Sequence, residues 1–359
     1  MIKYLGSKRR LVPVLGEMAE ATGTRTALDL FTGTTRVAQE LKRRGLHVTA
    51  VDVATYSKVL GDCYVSTDAR TIDESELAAA IAELASLPPV RGYVTETFCE
   101  RSRYFQPGNG GRIDAIRDAI ERDHAGTALH PVLLTALLEA ADRVDSTTGL
   151  QMAYLKSWSP RSFRDLELRV PTLIDGPGRT VLGDATTEVD TLERVDLAYL
   201  DPPYNQHRYF TNYHVWETLV RWDAPEHYGV ACKRIDARDE ATKSVFNRKR
   251  RMPDVFADLL RRVRAEVVVV SYNDEAWIGP DRMVEALREA GHEAVQTIGF
   301  DSRRYVGAQI GVHDPRGRRV GEVSHLHNTE LVFVAGPRDR VEAAVAASGR
   351  PAMQPASTS

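Results

Sequence analysis

Apolar runs of strand length recur along the chain and alternate with segments whose apolar residues fall at helical spacing. The clearest case is residues 26–53, where strand patterns at 26–30 and 47–52 flank a helical segment that ends near Gly45. Parallel strands joined through a helix form a right-handed crossover. The pattern therefore predicts a βαβ unit here and an α/β fold for the chain.

The middle of the chain has a different texture. Between residues 59 and 175 strand signals are scarce, and helical periodicity appears at 74–87, 113–122 and 131–144. Strand signals resume after Gly176, at 180–182, 195–200, 267–270 and 331–334. We therefore predict a discontinuous α/β domain at 1–58 and 176–340, a helical insertion at 59–175, and a C-terminal tail at 341–359 with a disordered end.

Composition narrows the class of protein without indicating a function. Among 359 residues, 43% are hydrophobic and 27% are charged, which is typical of globular proteins. No apolar stretch is long enough to span a bilayer, and the first residues lack the apolar core of a signal peptide. The scattered cysteines, Cys63, Cys99 and Cys232, argue against a structural zinc site and fit a reducing compartment. We expect a cytoplasmic protein with no metal site and no membrane association.

Positive charge is concentrated in one segment, although the net charge is −3. Residues 233–251 contain eight basic side chains and three acidic ones. A solvated surface is the simplest interpretation of such a run, and phosphate binding is the alternative. The basic residues considered for phosphate binding are Lys233, Arg234, Arg248, Lys249, Arg250 and Arg251.

The most informative segment is Asp201-Pro202-Pro203-Tyr204, which directly follows the apolar run 195–200. It stands where a buried parallel strand leaves its sheet, and ligands bind at that edge of open α/β sheets. Two prolines remove two backbone donors, so the Asp201 carboxylate and nearby carbonyls remain as acceptors beside an aromatic ring. Such a cluster suits a planar amino group, whereas a proline turn that ends a core strand is the alternative interpretation.

The turn after the first strand indicates a nucleoside site. Gly33 allows close approach of a ligand to the backbone, and Asp52 ends the next strand 23 positions after Asp29, as an acid that binds a ribose diol would. The full G-x-G-x-x-G pattern of dinucleotide sites is absent, because Thr34 and Thr35 follow Gly33. S-adenosylmethionine, which has no pyrophosphate, is therefore favoured. A tight turn and an ordinary strand-end acid are the alternatives.

Three further segments carry weaker signals. Tyr4 and Lys8 near the start of the chain could bind a carboxylate by stacking and by charge, and a disordered N-terminus is the simpler interpretation of this segment. Asp184 could accept hydrogen bonds from an adenine edge or cap the next helix. Residues 205–217 mix aromatic and polar side chains, which suits a splayed-out base and a phosphate backbone, or a loop with buried rings. The residues of interest there are Asn205, Arg208 and Tyr209.

Taken together, these segments resemble the Dam-like, alpha-group DNA adenine-N6 methyltransferases over nearly the whole chain and in the family's order. The similar motifs are Tyr4-Leu5-Gly6-Ser7-Lys8, Asp29-Leu30-Phe31-Thr32-Gly33-Thr34, Asp52 with Tyr56-Ser57, Gly183-Asp184, Asp201-Pro202-Pro203-Tyr204 and Asn328-Thr329-Glu330-Leu331-Val332-Phe333. The Asp-Pro-Pro-Tyr segment matches the family's catalytic motif without change. The chain departs from many relatives at Thr34-Thr35, where glycine or serine is common, and at Val51, where asparagine is common.

The resemblance implies a Rossmann-like S-adenosylmethionine-dependent methyltransferase sheet, with target recognition in the helical insertion. Asp201 and the carbonyl of Pro202 would accept the N6 hydrogens of an adenine flipped out of double-stranded DNA, and Tyr204 would stack on its ring. The implied cofactor-binding residues are Tyr4, Lys8, Asp29, Phe31, Gly33, Asp52, Asp184 and Asp201. The implied DNA contacts are Asn205, Arg208, Tyr209 and the basic residues named above, with Arg101, Arg103, Asn109 and Arg112 as candidates for reading bases.

Several alternatives stay open at this stage. A cytosine-N4 or RNA adenine methyltransferase would use nearly the same chemistry, although cytosine-N4 enzymes more often carry serine at the position of Asp201. A non-catalytic DNA-binding protein would not need that acid, and the missing glycines disfavour a nicotinamide-dependent oxidoreductase. A cognate restriction endonuclease is a candidate partner, and the expected location is the bacterial or phage-host cytoplasm, at the nucleoid.

Overall fold

The structure is a computed structural model that describes residues 2–4, 8, 10–203, 208–273, 276–303 and 327–353. Its helices are α1 (Val12–Ala21), α2 (Arg36–Arg43), α3 (Thr55–Gly61), α4 (Glu74–Ser86), α5 (Pro107–His124), α6 (His130–Val144), α7 (Ala185–Glu188), α8 (Tyr209–Asn212), α9 (His214–Arg221), α10 (Met252–Arg262), α11 (Pro280–Glu289) and α12 (Arg338–Ala347). Shorter π-helical or 3-10 turns cover Asp62–Ser66, Ala69–Thr71, Thr95–Glu100, Pro160–Phe163, Ile235–Arg238, Glu240–Thr242 and Val245–Asn247.

The strands are β1 (Thr26–Asp29), β2 (His47–Asp52), β3 (Gly178–Leu182), β4 (Val195–Leu200), β5 (His227–Tyr228), β6 (Lys233–Arg234), β7 (Ala265–Asn273), β8 (Ala294–Arg303) and β9 (His327–Gly336). Among the described residues, all except β5 and β6 belong to a seven-stranded sheet in the order β3-β2-β1-β4-β7-β9-β8. The pairs β2–β3, β1–β4 and β4–β7 are parallel, whereas β9 is antiparallel to both β7 and β8. The α/β, Rossmann-like sheet predicted from the sequence is confirmed.

The strand order reverses direction between β1 and β4. From β1, the next strands in sequence, β2 and β3, follow one another toward one edge of the sheet. From β4, the next strand of this sheet, β7, lies toward the opposite edge. In doubly wound sheets, ligands bind outside the carboxyl ends of the strands at this reversal. The carboxyl ends of β1 and β4 are therefore the part of the sheet where a ligand site is expected.

The chain divides into two compact units, and the first consists of Met1–Ser7, Thr32–Asp184 and His207–Ser244. Helices α5 and α6 pack against each other, and α6 is buried along most of its length. The helical periodicity predicted for 74–87, 113–122 and 131–144 is confirmed by α4, α5 and α6. A separate antiparallel hairpin, β5–β6, also belongs to this unit.

The second unit consists of Lys8–Phe31, Ala185–Gln206 and Val245–Ser359. Its central strand β7 carries the run Val267–Val270, which is buried throughout because neighbouring elements cover both faces of the sheet. Helix α12 packs on α1. It includes residues 341–347, the start of the segment 341–359 that the sequence predicted as a tail, and residues 354–359 lie outside the described chain. In the described parts of both units, no helix has the length and apolar character needed to cross a membrane.

Candidate functional site

Asp201 lies directly after β4, as predicted. Asp29 is the last residue of β1 and pairs in register with Tyr199, two residues before Asp201. Both acids therefore lie at the carboxyl ends of neighbouring parallel strands in the second unit. Tyr204 and Asn205, which the sequence predicted to stack on a base and to contact DNA, lie outside the described residues.

Lys8 connects Asp201 to a second carboxylate. Its ammonium lies 3.1 Å from Oδ1 of Asp201 and also forms an ion pair with Oε1 of Glu330. The side chains of Lys8 and Glu330 are 8% and 9% exposed, and that of Asp201 is 21% exposed. The hydroxyl of Ser271 donates to Glu330 at 2.8 Å. Lys8, predicted to bind the cofactor, is thus held between two acids in this structure.

The surroundings of Asp201 favour its protonated form. Burial raises the pKa of its carboxyl to about 7, because ionisation away from water is costly; Lys8 opposes this shift and the charge of Glu330 adds to it. Near neutral pH a substantial fraction of such a carboxyl is ionised and can accept hydrogen bonds, and the ionised form still has appreciable affinity for a proton. A group of that kind can take up a proton from a reacting nitrogen.

Two other predicted residues of the second unit are placed at the end of β1. The side chain of Asp29 is almost fully buried. The ring of Phe31 meets Phe246 edge to face, with centroids 5.1 Å apart. Phe246 is itself buried and packs against Phe256 of α10. Packing therefore fixes the backbone on which Asp29 and Phe31 lie.

In the first unit, Asp52 is bound by the turn that contains Gly33. The N–H of Gly33 donates to Oδ2 of Asp52 at 2.8 Å, and the N–H of Ala54 donates to Oδ1 at 2.9 Å. Burial raises the pKa of Asp52 above its ordinary value, and these N–H bonds oppose the shift. Because each carboxylate oxygen can accept more than one hydrogen bond, Asp52 retains acceptor capacity for a ligand hydroxyl.

Two features favour glycine at position 33, namely its left-handed backbone conformation and the close approach of the Tyr4 ring. Its φ is +53°, and a Cβ there would lie 3.0 Å from Cε1 of Tyr4. The ring of Tyr4 stacks on Tyr213, with centroids 4.7 Å apart, and lies 5.4 Å from that of Tyr209. The structure thus brings Tyr4 and Gly33 together, and it packs Tyr209, predicted to contact DNA, among tyrosine rings.

Asp184 is close in the sheet to Asp52. Residues Asp52 and Leu182 are register partners in β2 and β3, and the N–H of Gly183 donates to the carbonyl of Asp52 at 2.9 Å. Asp184 follows and is exposed, directly before α7. Asp52 and Asp184 therefore lie at the carboxyl ends of two adjacent parallel strands of the first unit, β2 and β3, and Gly33 is joined to Asp52 by its N–H bond.

The basic run contains two kinds of residue. Arg234 is 1% exposed, and its guanidinium bonds Asp223 at 2.7 Å and Asp236 at 2.8 Å. Burial alone would lower its pKa, and the bonds to these acids outweigh that effect and raise it. The guanidinium predicted to meet phosphate is therefore already matched inside the first unit. Lys233, its neighbour, is half-buried, and burial lowers its pKa.

The other half of the run, Arg248 to Arg251, is exposed. Within the described ranges, the side chains of Lys249, Arg250 and Arg251 have no carboxylate partner. Arg208, before α8, is also exposed. Lys249, Arg250 and Arg251 are therefore available to a polyanion, in contrast to Arg234.

The residues considered for base reading are mostly engaged with backbone. Asn109 is buried, donates to the carbonyl of Arg164 at 2.8 Å and accepts from the N–H of Leu166 at 2.9 Å. Arg112 donates to Ala85 at 2.9 Å. Asn109 thus has a structural position in the first unit, because its amide satisfies buried backbone groups.

The sequence assigned no role to Glu330, which pairs with Lys8, or to Ser271, which donates to Glu330. It also assigned none to Glu217, which accepts a hydrogen bond from the N–H of Thr55 near Asp52. Glu330 was recognised only as part of a similar motif, without a role. A signal was present, since an ionisable residue directly precedes the apolar run 331–335 of a buried strand. Buried charges are almost always paired, so the position called for a cationic partner.

Comparison of the chain with known proteins finds DNA methyltransferases, both as a family and as individual relatives. The family model for D12 class N6 adenine-specific DNA methyltransferases matches residues 4–284. The chain is 30% identical to type II methyltransferase M.NlaIII of Neisseria lactamica, over 92% of this chain and 100% of that protein. It is 29% identical to type II methyltransferase M.CviAII of Paramecium bursaria Chlorella virus 1, over 81% of this chain and 89% of the other. Modification methylase StsI of Streptococcus sanguinis is 27% identical over 83% of this chain, which spans only 48% of that protein.

Proposed function

The chain belongs to the D12 class of N6 adenine-specific DNA methyltransferases, and we propose that it methylates adenine at one short sequence in double-stranded DNA, with S-adenosylmethionine as methyl donor. The observation that carries the proposal is Asp201, placed at the carboxyl end of β4 beside the strand-order reversal and linked to Lys8. The similarity of the chain to M.NlaIII and M.CviAII, which are type II methyltransferases, supports a place for it in a restriction–modification system. A cognate restriction endonuclease is the corresponding proposed partner, and the cytoplasm is the proposed location.

The donor set of the first unit fits S-adenosylmethionine. We propose that Asp52 holds the ribose hydroxyls, because backbone N–H groups fix its carboxylate at a strand end. The turn has one glycine at positive φ, and Thr34 and Thr35 follow, so the turn is suited to a nucleoside without a pyrophosphate. Asp184 is proposed to bind the adenine edge, and Tyr4 the methionine end. When bound, S-adenosylmethionine supplies a methyl group on a sulfonium, which is already an excellent leaving group.

The residues of the second unit supply the acceptor for adenine. The target amino group lies inside a stacked base pair, so the base must leave the helix at a cost of a few kcal/mol. Asp201 then accepts a hydrogen of N6, and the carbonyl of Pro202 accepts the other. Lone-pair density on the nitrogen is thereby directed away from these acceptors, toward the methyl group. Catalysis by this route depends on positioning and electrostatics.

DNA binding is proposed to use the exposed basic residues. Arg208, Arg248, Lys249, Arg250 and Arg251 carry charge at the surface, and phosphate contacts position a protein on DNA without reading its sequence. Target recognition is proposed to reside in the helical insertion 59–175. Tyr204 and Asn205 keep their predicted roles in base stacking and DNA contact.

The test is single-molecule sequencing of genomic DNA from a methylation-free bacterial host that expresses the chain. We expect N6-methyladenine at one short motif with the wild type and none with Asp201→Ala. Asp281→Ala, which removes an exposed acid in the first turn of α11, is the matched control and should methylate normally. Methylated cytosine, or no modified base from soluble wild-type protein, would overturn the proposed reaction, and methylation by Asp201→Ala would overturn the role of Asp201.

A further inference from the structure

Glu330 is a second carboxylate on the ammonium that pairs with Asp201. The adenine chemistry proposed above uses Asp201 and needs no second acid. Yet the ion pairs place Lys8 between Asp201 and Glu330, and all three side chains lie in the second unit. With both acids ionised, the group of three carries one negative charge in excess. Buried charge is expensive unless it is matched, so the excess acid requires an explanation.

Glu330 is fixed by the sheet. In the antiparallel pair β7–β9 it stands opposite Asn273, and Ser271 is its diagonal neighbour on the same face. The hydroxyl of Ser271 donates to Oε1 of Glu330, the same oxygen that pairs with Lys8. The side chain is 9% exposed. Glu330 therefore acts on Lys8 from a fixed position.

The effect on Asp201 follows from electrostatics. A single ammonium beside a buried carboxylate would keep that carboxylate ionised and hold it tightly. A second carboxylate on the same ammonium competes for its hydrogen bonds and repels negative charge on Asp201. The described titratable groups around Asp201 are Lys8, Glu330, the phenol of Tyr199 and, next to Tyr199, Asp29. Of the acids, Glu330 is the one that shares the ammonium with Asp201.

We propose that Glu330 is a positioning residue that draws Lys8 away from full pairing with Asp201, so that Asp201 can take a proton from adenine N6. The inference rests on the proposed function for the identity of the substrate. In the transfer, the nitrogen forms a bond to the methyl carbon, the carbon–sulfur bond breaks and sulfur keeps its electron pair. N6 must then release one of its two protons, and the Asp201 carboxylate receives it.

A direct test titrates Asp201 without DNA or cofactor. In protein labelled with ¹³C at aspartate Cγ, the resonance absent from Asp201→Asn identifies Asp201, and its chemical shift is followed against pH. We expect Glu330→Gln to lower the titration midpoint by roughly one to two pH units, because it removes a negative charge near Asp201. Glu285→Gln makes the same chemical change on an exposed face of α11 and should leave the midpoint in place.

A kinetic test follows the same residue during turnover. In Glu330→Gln, the loss of methylation rate at low pH should occur at a lower pH than in the wild type, with kcat reduced about tenfold and KM for DNA changed little. If Glu330→Gln does not fold, Glu330→Asp is the second variant, because its shorter side chain withdraws the charge from Lys8. It should lower the titration midpoint of Asp201 and the midpoint of the pH–rate profile by smaller amounts.

The two tests separate the inference from the proposed function. Midpoints that stay at the wild-type pH in a folded variant overturn the role of Glu330, even if the wild type methylates adenine. A shifted Asp201 midpoint in a protein that methylates no adenine supports the role of Glu330 and rejects the proposed reaction.

Discussion

The carboxylate of Glu217 caps helix α3 at Thr55. The N–H of Thr55 donates to Oε1 of Glu217 at 2.9 Å, and its hydroxyl donates to Oε2. Glu217 lies on α9, which follows Asp201 in sequence, whereas α3 begins three residues after Asp52. Hydrogen bonds to a buried carboxylate thus fix the backbone beside the proposed ribose-binding acid.

Removal of this cap should destabilise the protein. Glu217→Ala leaves the N–H of Thr55 without this acceptor in a partly buried place, which costs about 1–3 kcal/mol. Glu217→Gln keeps an acceptor oxygen of the same shape and should cost much less. Thermal unfolding at pH 7.5 of the two variants measures the difference, and equal stabilities would contradict the capping role.

The stability of the wild type should fall as pH rises from about 4.5 to about 7, relative to Glu217→Gln. Burial raises the pKa of Glu217 from its ordinary value to about 7. The folded state therefore binds the proton more tightly than the unfolded state, so stability is fully present below the unfolded pKa and is lost as pH rises through the folded one. The expected difference is roughly 1–3 kcal/mol across this range. Chemical denaturation of both proteins at several pH values tests it, and parallel curves would exclude the shift.

Gly33→Ala should weaken cofactor binding more than backbone strain explains. Gly33 and Gly45 both have positive φ, but a Cβ at Gly33 meets the ring of Tyr4, whereas a Cβ at Gly45 has no atom within 4 Å. Both variants should lose about 1 kcal/mol of stability. Only Gly33→Ala should reduce S-adenosylmethionine affinity, by about tenfold or more, as Tyr4 and the N–H bonded to Asp52 shift. Calorimetric titration of both proteins provides the comparison, and equal affinities would count against the site.

Simultaneous change of Lys249, Arg250 and Arg251 to Ala should weaken DNA binding for all sequences alike. If each contacts one phosphate, the slope of log K against log salt should decrease by about 3. Arg282→Ala is the control, because Arg282 is exposed but paired with Glu285 and Glu289. Fluorescence anisotropy at several salt concentrations measures the slope, and an unchanged slope would return this segment to an ordinary solvated surface.

Arg234→Ala should behave differently from its neighbours in the basic run. The variant leaves Asp223 and Asp236 with the more exposed Arg221 in place of the buried guanidinium that bonds both acids, so we expect a loss of roughly 1–3 kcal/mol in the free energy of unfolding. The salt slope of DNA binding should stay at the wild-type value. Denaturation and anisotropy on the same preparation separate the two roles; a smaller slope with unchanged stability would restore the phosphate-contact interpretation.

Local patterns were sufficient for the strands that end in the proposed site acids Asp52 and Asp201. An apolar run followed by Asp201 or by Asp52 identifies the end of a buried strand, because both signals lie within a few residues of each other. The sequence did not reveal β8, whose residues include Gln296, Thr297 and Asp301, because an edge strand with polar positions lacks the apolar signature.

The partners of charged residues were decided by tertiary structure. Arg234 and Lys249 belong to one basic run, and no local pattern distinguishes them. Arg234 pairs with Asp223 and Asp236, which flank the β5–β6 hairpin, whereas Lys249 has no carboxylate partner among the described residues.

The sequence by itself determined the α/β class, the strand-end positions of Asp52 and Asp201, and the resemblance that pointed to adenine methylation. Only the tertiary structure placed Lys8 between Asp201 and Glu330, although Lys8 and Glu330 are 322 positions apart. The physical reason is that β9 enters the sheet beside β7, which itself lies beside β4. Sheet order thus brings distant segments together, and buried charges at that edge are stable only where those segments supply opposite charge.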